Sequence, residues 1–153
     1  MHFDHSLLYL SQLKLLIMYP AELVKPMRED LTSVGFLELT NPDEVNSQVP
    51  NSETAVLIVN SVCGCAAANA RPGIKSSLIN DKKPGKLFTV FAGVDKEATD
   101  AARKLLIPFP PSSPCIAIFK DGDLVHMLER HHIEGRSAEI ISENLKQAYD
   151  QFC

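Results

Sequence analysis

The chain has 153 residues, 45% of them apolar, with 15 Lys and Arg against 19 Asp and Glu for a formal net charge of −4, four cysteines and no tryptophan. That length suits one domain burying roughly 68–70% of its unfolded surface. The apolar content excludes a disordered chain, and the cysteines are too few for a disulfide-stapled miniprotein. Lys and Arg are outnumbered and never cluster, which argues against nucleic acid as a partner and points to proteins or small molecules.

Residues 6–18 are the most hydrophobic stretch near the start. They do not read as a secretory signal: no Lys or Arg precedes them, Gln12 and Lys14 interrupt the run, and no small-residue cleavage site follows. The run is also far short of the ~20 apolar residues that span a bilayer, so no membrane association is expected. Leu7, Leu10, Leu13 and Ile17 can share one helical face, an extra N-terminal helix region. The expectation is an extension over residues 1–17, loosely attached or not native, with Met18 as the physiological start and residues 18–153 as a single domain. The default compartment is then the reducing cytoplasm.

From Tyr19 onward, helix-like and strand-like segments alternate. Leu23, Met27, Leu31 and Val34 follow the helical period after Pro20, and Gly35 stops it. Asn41 and Pro42 read as the N-cap and first residue of a short helix. Residues 54–60 form a nearly continuous aliphatic run, the pattern of a strand buried on both faces. Residues 87–91 are a second strand, and Asp95 reads as the cap of a helix over 96–106. Residues 107–114, with four prolines, form a loop. Strands over 115–120 and 124–128 are joined by Asp121-Gly122-Asp123, a hairpin signal. A last helix runs from Ser137 to Phe152, with Ile140, Ile141, Leu145 and Ala148 on its apolar stripe. The helical crossover makes the first two strands parallel, and the tight hairpin makes the last two antiparallel. The order is that of an α/β, thioredoxin-like three-layer α/β/α fold with a mixed central sheet.

The chemistry gathers where the first strand ends. Cys63 falls at the strand-to-helix turn and Cys65 in the first helical turn, where unpaired backbone N–H groups and the positive end of the helix dipole favour the thiolate. Gly64 supports the helix start by letting the chain bend between the two sulfurs. A Cys-x-Cys disulfide closes a ring one residue smaller than Cys-x-x-Cys, so the expected ring is strained and relatively oxidising. Two blander readings stand beside this one. Both thiols could be buried, inert core residues, or they could belong to a metal site completed by Cys115, Cys153 or histidines. Spacing disfavours zinc, which prefers Cys-x₂₋₄-Cys pairs, and no metal is expected. Cys115 reads as a core thiol, Cys153 as mobile and exposed, and Arg71, His131 and His132 as solvated surface groups able to meet acidic ligands.

Val59-Asn60-Ser61-Val62-Cys63-Gly64-Cys65-Ala66-Ala67, followed by Ala70-Arg71-Pro72, Val90-Phe91-Ala92-Gly93, Asp95-Lys96-Glu97-Ala98, Pro111-Ser112-Ser113-Pro114, Arg130-His131 and Ile133-Glu134-Gly135, resembles the bacilliredoxin family in order along the chain. The resemblance runs from about Tyr19 to the C-terminus and leaves residues 1–17 outside. It implies a thioredoxin-like fold and a thiol–disulfide exchange protein that removes bacillithiol, a low-molecular-weight thiol, from S-bacillithiolated client proteins. Bacillithiol would be a co-substrate, with no resident cofactor, and a reductase would regenerate the protein. Cys63 would be the nucleophile. Cys65 would be either the resolving thiol or a spectator while free bacillithiol completes the cycle. Ser113 and Pro114 would contact substrate, with Pro114 preceded by a cis peptide bond. A general thiol–disulfide oxidoreductase or isomerase is the alternative, and a non-catalytic thiol-based metal-binding domain a further one.

Overall fold

The computed structural model describes residues 19–153. The expected extension, its helix and a start at Met18 lie outside the described residues. In chain order the elements are helix α1 (Ala21–Thr32), strand β1 (Leu37–Glu38), helix α2 (Pro42–Gln48), strand β2 (Thr54–Asn60), a π-helical segment (Ala66–Ala70) leading into helix α3 (Arg71–Ser77), strand β3 (Lys86–Phe91), helix α4 (Lys96–Leu105), strands β4 (Cys115–Lys120) and β5 (Asp123–Leu128), and helices α5 (Arg130–Ile133) and α6 (Ala138–Phe152).

Local chemistry sets most of the boundaries. Asn41 Oδ1 accepts from the Glu44 amide at 2.9 Å, a side-chain cap on α2, and Ser137 does the same for α6 through the Ile140 amide at 3.2 Å. Asp95 departs from expectation. It occupies the N-cap position of α4 but makes no side-chain cap. Its carboxylate instead accepts from Arg28 at 2.8 Å, and Arg28 also pairs with Glu38 at 3.0 Å. An ion pair with a guanidinium is a stronger attraction than one amide N–H, and Asp95 thereby ties α1 to the start of α4. The β4–β5 turn has Asp121 at φ 50° and Gly122 at φ 84°, both left-handed, as a two-residue hairpin turn matched to strand twist requires.

The five strands run in the order β1-β3-β2-β4-β5. β3 is parallel to both β1 and β2, while β4 is antiparallel to both β2 and β5. β2 is central, with every residue after Thr54 buried. Its side chains alternate between two cores. Ala55, Leu57 and Val59 pack with Phe88, Val90, Ala117 and Phe119 under α2 and α4, against Val45, Val49, Ala98 and Ala102. Val56 and Ile58 pack with Ile116 and Ile118 on the opposite face, against Leu31, Ile74, Ile141, Leu145 and Tyr149 of α1, α3 and α6. The result is three layers with helices on both faces of the sheet. The edge strand β1 is only two residues long, too short to leave an alternating pattern, and the sequence reading passes over it.

Candidate active site

β2 ends at Asn60, and the chain turns through Ser61 and Val62 to Cys63 before the helix begins. This end of the sheet also receives the start of β4, because Val59 lies opposite Cys115 in antiparallel register. Pro114 immediately precedes β4 and Asn60 ends β2, so both lie at this end of the pairing. The Ser113–Pro114 peptide is cis, as is Ile107–Pro108 in the same loop. The topology therefore brings the Cys63-Gly64-Cys65 turn and the Ser113-Pro114 loop to one rim of the sheet.

Cys63 and Cys65 are half-buried and joined by a disulfide, with Cα atoms 5.5 Å apart. Gly64 between them is exposed. Apart from its two neighbours, a Cβ there would meet nothing within 4 Å, and its φ is not left-handed. Glycine is thus not demanded by surrounding packing. The Cys63 carbonyl accepts from the amides of Ala66 at 3.1 Å and Ala67 at 3.3 Å, which fixes Cys63 as the hinge between strand and helix.

The helix that follows is not uniform. Over Ala66–Ala70 it widens to a π-turn, closed by the Arg71 amide donating to the Ala66 carbonyl. Pro72 is the cause: it carries no N–H, and its ring would collide with the carbonyl four residues back in an α-helix. A proline inside a helix ordinarily kinks it; here the chain relieves the clash by widening the turn ahead of Pro72.

Beneath the turn lies a polar cluster. Arg71, expected at the surface, is 5% exposed. Its guanidinium donates to Asn60 Oδ1 at 2.9 Å, to the Ser61 carbonyl at 3.1 Å and to Asp30 at 3.1 Å. Asn60 also accepts from the Ser61 amide at 2.9 Å and donates to the Met27 carbonyl at 3.1 Å. Lys75 donates to the other oxygen of Asp30 at 2.6 Å. Partial burial opposes ionisation of Asp30, but the hydrogen bonds and charges of Lys75 and Arg71 prevail and hold its carboxyl below the usual value. A buried charge is tolerable only when paired and hydrogen-bonded, and Arg71 meets both conditions. Nothing in a single Arg-Pro dipeptide signals this. The available hint was Asn60, a polar residue closing an otherwise aliphatic strand.

On the other face, Cys115 is 1% exposed. Burial pushes its thiol up to about 11, against the lowering influence of a Ser112 hydrogen bond and the Arg103 charge. Cys115 is therefore a core thiol beside the site. Cys153 is exposed but anchored, its amide donating to the Tyr149 carbonyl at 2.8 Å, and its thiol meets Thr54, the opposite end of β2 from Cys63. Six strand residues separate the two ends, roughly 20 Å, so Cys153 does not reach the working pair.

Arg130 borders the Ser113-Pro114 loop. Its guanidinium donates to the Ser113 carbonyl at 3.4 Å and its amide to Ser112 Oγ at 3.4 Å. Glu129, His131 and His132 place potential metal-ligand atoms within 4.8 Å of one another. Two of them are already engaged as a helix cap: Glu129 accepts from the His132 backbone, while His132 Nδ1 accepts from the Glu129 amide at 3.0 Å. A neutral ring accepting at Nδ1 carries its proton on Nε2, so His132 would have to surrender the cap to bind a cation. Among the described residues this cluster is remote in role from Cys63 and Cys65, and no helix is long and apolar enough to cross a membrane.

The disulphide isomerase family model matches residues 19–153. The bacilliredoxin of Cytophaga hutchinsonii is 56% identical over 134 residues, 88% of this chain and 99% of its own length. That of Salinibacter ruber is 48% identical over 138 residues, 88% of this chain and 81% of its own. Among solved structures, oxidised mitochondrial thioredoxin 3 of Saccharomyces cerevisiae superposes with a TM-score of 0.53 at 17% identity, covering 80% of this chain and 98% of that one. Oxidised thioredoxin O2 of Arabidopsis thaliana gives 0.52 at 20% identity, covering 76% and 96%. These likenesses establish the thioredoxin-like fold.

Proposed function

The chain belongs to the bacilliredoxin family of thiol–disulfide oxidoreductases, and from that premise we propose that it removes bacillithiol from S-bacillithiolated protein cysteines. The observation that carries the reading is the Cys63-Gly64-Cys65 pair, half-buried at a strand-to-helix turn and facing the same rim as Ser113-Pro114.

The Cys63 thiolate attacks the bacillithiol sulfur of the mixed disulfide. A Cys63–bacillithiol disulfide forms, the client S–S bond breaks, and the client cysteine leaves as thiolate. In the dithiol route Cys65 then attacks Cys63 Sγ, expelling bacillithiol as thiolate and closing the Cys63–Cys65 disulfide. A dithiol reductant reopens it by supplying two electrons. In the monothiol route a free bacillithiol thiolate attacks the mixed disulfide, leaving with the first as bacillithiol disulfide and regenerating Cys63. Gly64 leaves room above the sulfurs for the incoming disulfide, and the Ser113-Pro114 loop offers backbone against which the client chain aligns. In a reducing cytoplasm the Cys63–Cys65 disulfide would be returned to two thiols between turnovers.

The deciding assay compares release of bacillithiol and of glutathione from one client protein carrying either as a mixed disulfide. Preference for the bacillithiolated form supports the reading; equal rates favour a general oxidoreductase, in keeping with the disulphide isomerase description of the family. Cys63→Ser should abolish release, whereas Cys65→Ser should retain the first step and accumulate the Cys63 mixed disulfide. Loss of the first step in Cys65→Ser alone would reverse the two roles.

A further inference from the structure

We infer that Arg71 is a positioning residue for the Cys63 turn, and that its buried guanidinium, held by Asp30 and Asn60, both fixes that turn and places a positive charge beneath the reacting sulfur. This rests on Cys63 as the nucleophile. The connection is continuous. Arg71 binds the Ser61 carbonyl and Asn60 Oδ1, Asn60 Oδ1 binds the Ser61 amide, and Ser61 Oγ accepts from the Cys63 amide at 3.3 Å. One guanidinium thus holds both backbone groups of Ser61 in place, one directly and one through Asn60. Two residues of chain span at most about 7 Å, so the charge lies close under Cys63.

Position, not a charge count, sets the sign. From α1 comes Asp30; from α3 come Arg71 and Lys75, both bound to Asp30, which leaves one positive charge over. Arg28, also on α1, meets two carboxylates, Asp95 and Glu38, which leaves one negative charge over, so the two groups together balance. On the opposite face Arg103 and Glu129 flank Cys115 with opposing effects. Of these charges Arg71 is the one bonded to the turn itself, at the Ser61 carbonyl, and it adds to the helix N-terminus in favouring the thiolate. The burial of Arg71 limits screening of its charge by solvent.

A purely structural prop and an electrostatic one differ in what two substitutions do. Both are made in the full chain, reduced, and iodoacetamide alkylation of the Cys63 and Cys65 peptides is followed by mass spectrometry from pH 4 to 10. Arg71→Gln removes the cation bonded to the turn and should raise the Cys63 midpoint by about one pH unit, a tenfold lower thiolate fraction below it. Asp30→Asn removes the counter-charge and should lower that midpoint. Loosening of the turn alone would shift both variants the same way. Midpoints that move together, or not at all, overturn the inference. If Arg71→Gln does not fold, Asp30→Asn decides: a lower midpoint supports the inference, and an unchanged or higher one overturns it. In the unsubstituted protein, a depressed midpoint at Cys65 but not Cys63 would sink the role assignment itself. A depressed Cys63 midpoint that ignores both variants sinks only the role of Arg71.

Discussion

Limited alkylation of the reduced protein at pH 8 should modify Cys63 and Cys65 and leave Cys115 untouched. Cys115 is 1% exposed, and burial raises its thiol from 9.0 to about 11. At pH 8 about one molecule in a thousand then carries the Cys115 thiolate, against about one in ten for a thiol at its ordinary value, so titration alone slows alkylation about 100-fold. Burial slows it further, because reagent must wait for β4, an interior strand paired on both sides, to open locally. The assay is a time course of iodoacetamide labelling read by peptide mass spectrometry, with Cys63 as the internal clock. Cys115→Ala should accordingly leave client turnover unchanged. Cys115 labelled within tenfold of Cys63 would refute the assignment of Cys115 to the core and reopen it as a third redox thiol.

Gly73→Ala should destabilise the protein, although alanine is the better helix former by about 1 kcal/mol. A Cβ at Gly73 would come within 2.6 Å of Ile141 Cγ2 and 2.8 Å of Ile141 Cβ, and such overpacking costs about 1–3 kcal/mol. Urea unfolding checks it, and in an Ile141→Ala background, which removes the Cγ2 contact but keeps the Cβ, the penalty should shrink. Tyr149→Phe should cost about 1 kcal/mol in the same assay, since Tyr149 OH shares a 2.9 Å hydrogen bond with Ser77 while Ser77 keeps its bond to the Ile74 carbonyl. Asp30, held below its ordinary value, contributes stability that is present above the unfolded carboxyl value of 3.8 and is lost as pH falls through the lower folded value. Asp30→Asn should therefore flatten the acid limb of a stability–pH curve; an unchanged limb would show that Asp30 does not gain its partners on folding.

The sheet was legible because its strands are short, aliphatic and bounded by turn residues: residues 54–60 read as a doubly buried strand, and β2 is central with all but Thr54 buried. The placement of Cys63 and Cys65 at the strand-to-helix turn was legible because an aliphatic strand ends at Asn60 and a helical run follows the two cysteines. Asp95 misled because an Asp before a helix satisfies the capping rule locally, whereas its partner Arg28 lies 67 residues away and carries no local signal. Arg71 misled for the same reason in reverse. A charged residue is exposed by default, and only the fold gathers Asp30, Asn60 and Ser61 around it. The π-turn was invisible because it accommodates Pro72 through backbone geometry that leaves no residue preference of its own.

These long-range contacts share a direction. The turn that holds Cys63 has few hydrophobic contacts of its own, since Val62, Cys63 and Cys65 are only half-buried and Gly64 is exposed. Apolar burial, which is non-directional, would leave such a turn free to shift by the tenths of an ångström that matter when one sulfur must meet a disulfide in line. Hydrogen bonds are directional, and here they converge from two sides: Arg71 on the strand end beneath the thiols, Arg130 on the Ser113 carbonyl of the facing loop. The first is buried; the second is exposed and bonded at 3.4 Å, at the long end of the range. On the proposed assignment of Cys63 as nucleophile, a client entering between them would meet a sulfur whose turn is held by several short hydrogen bonds and a facing loop held by one long one.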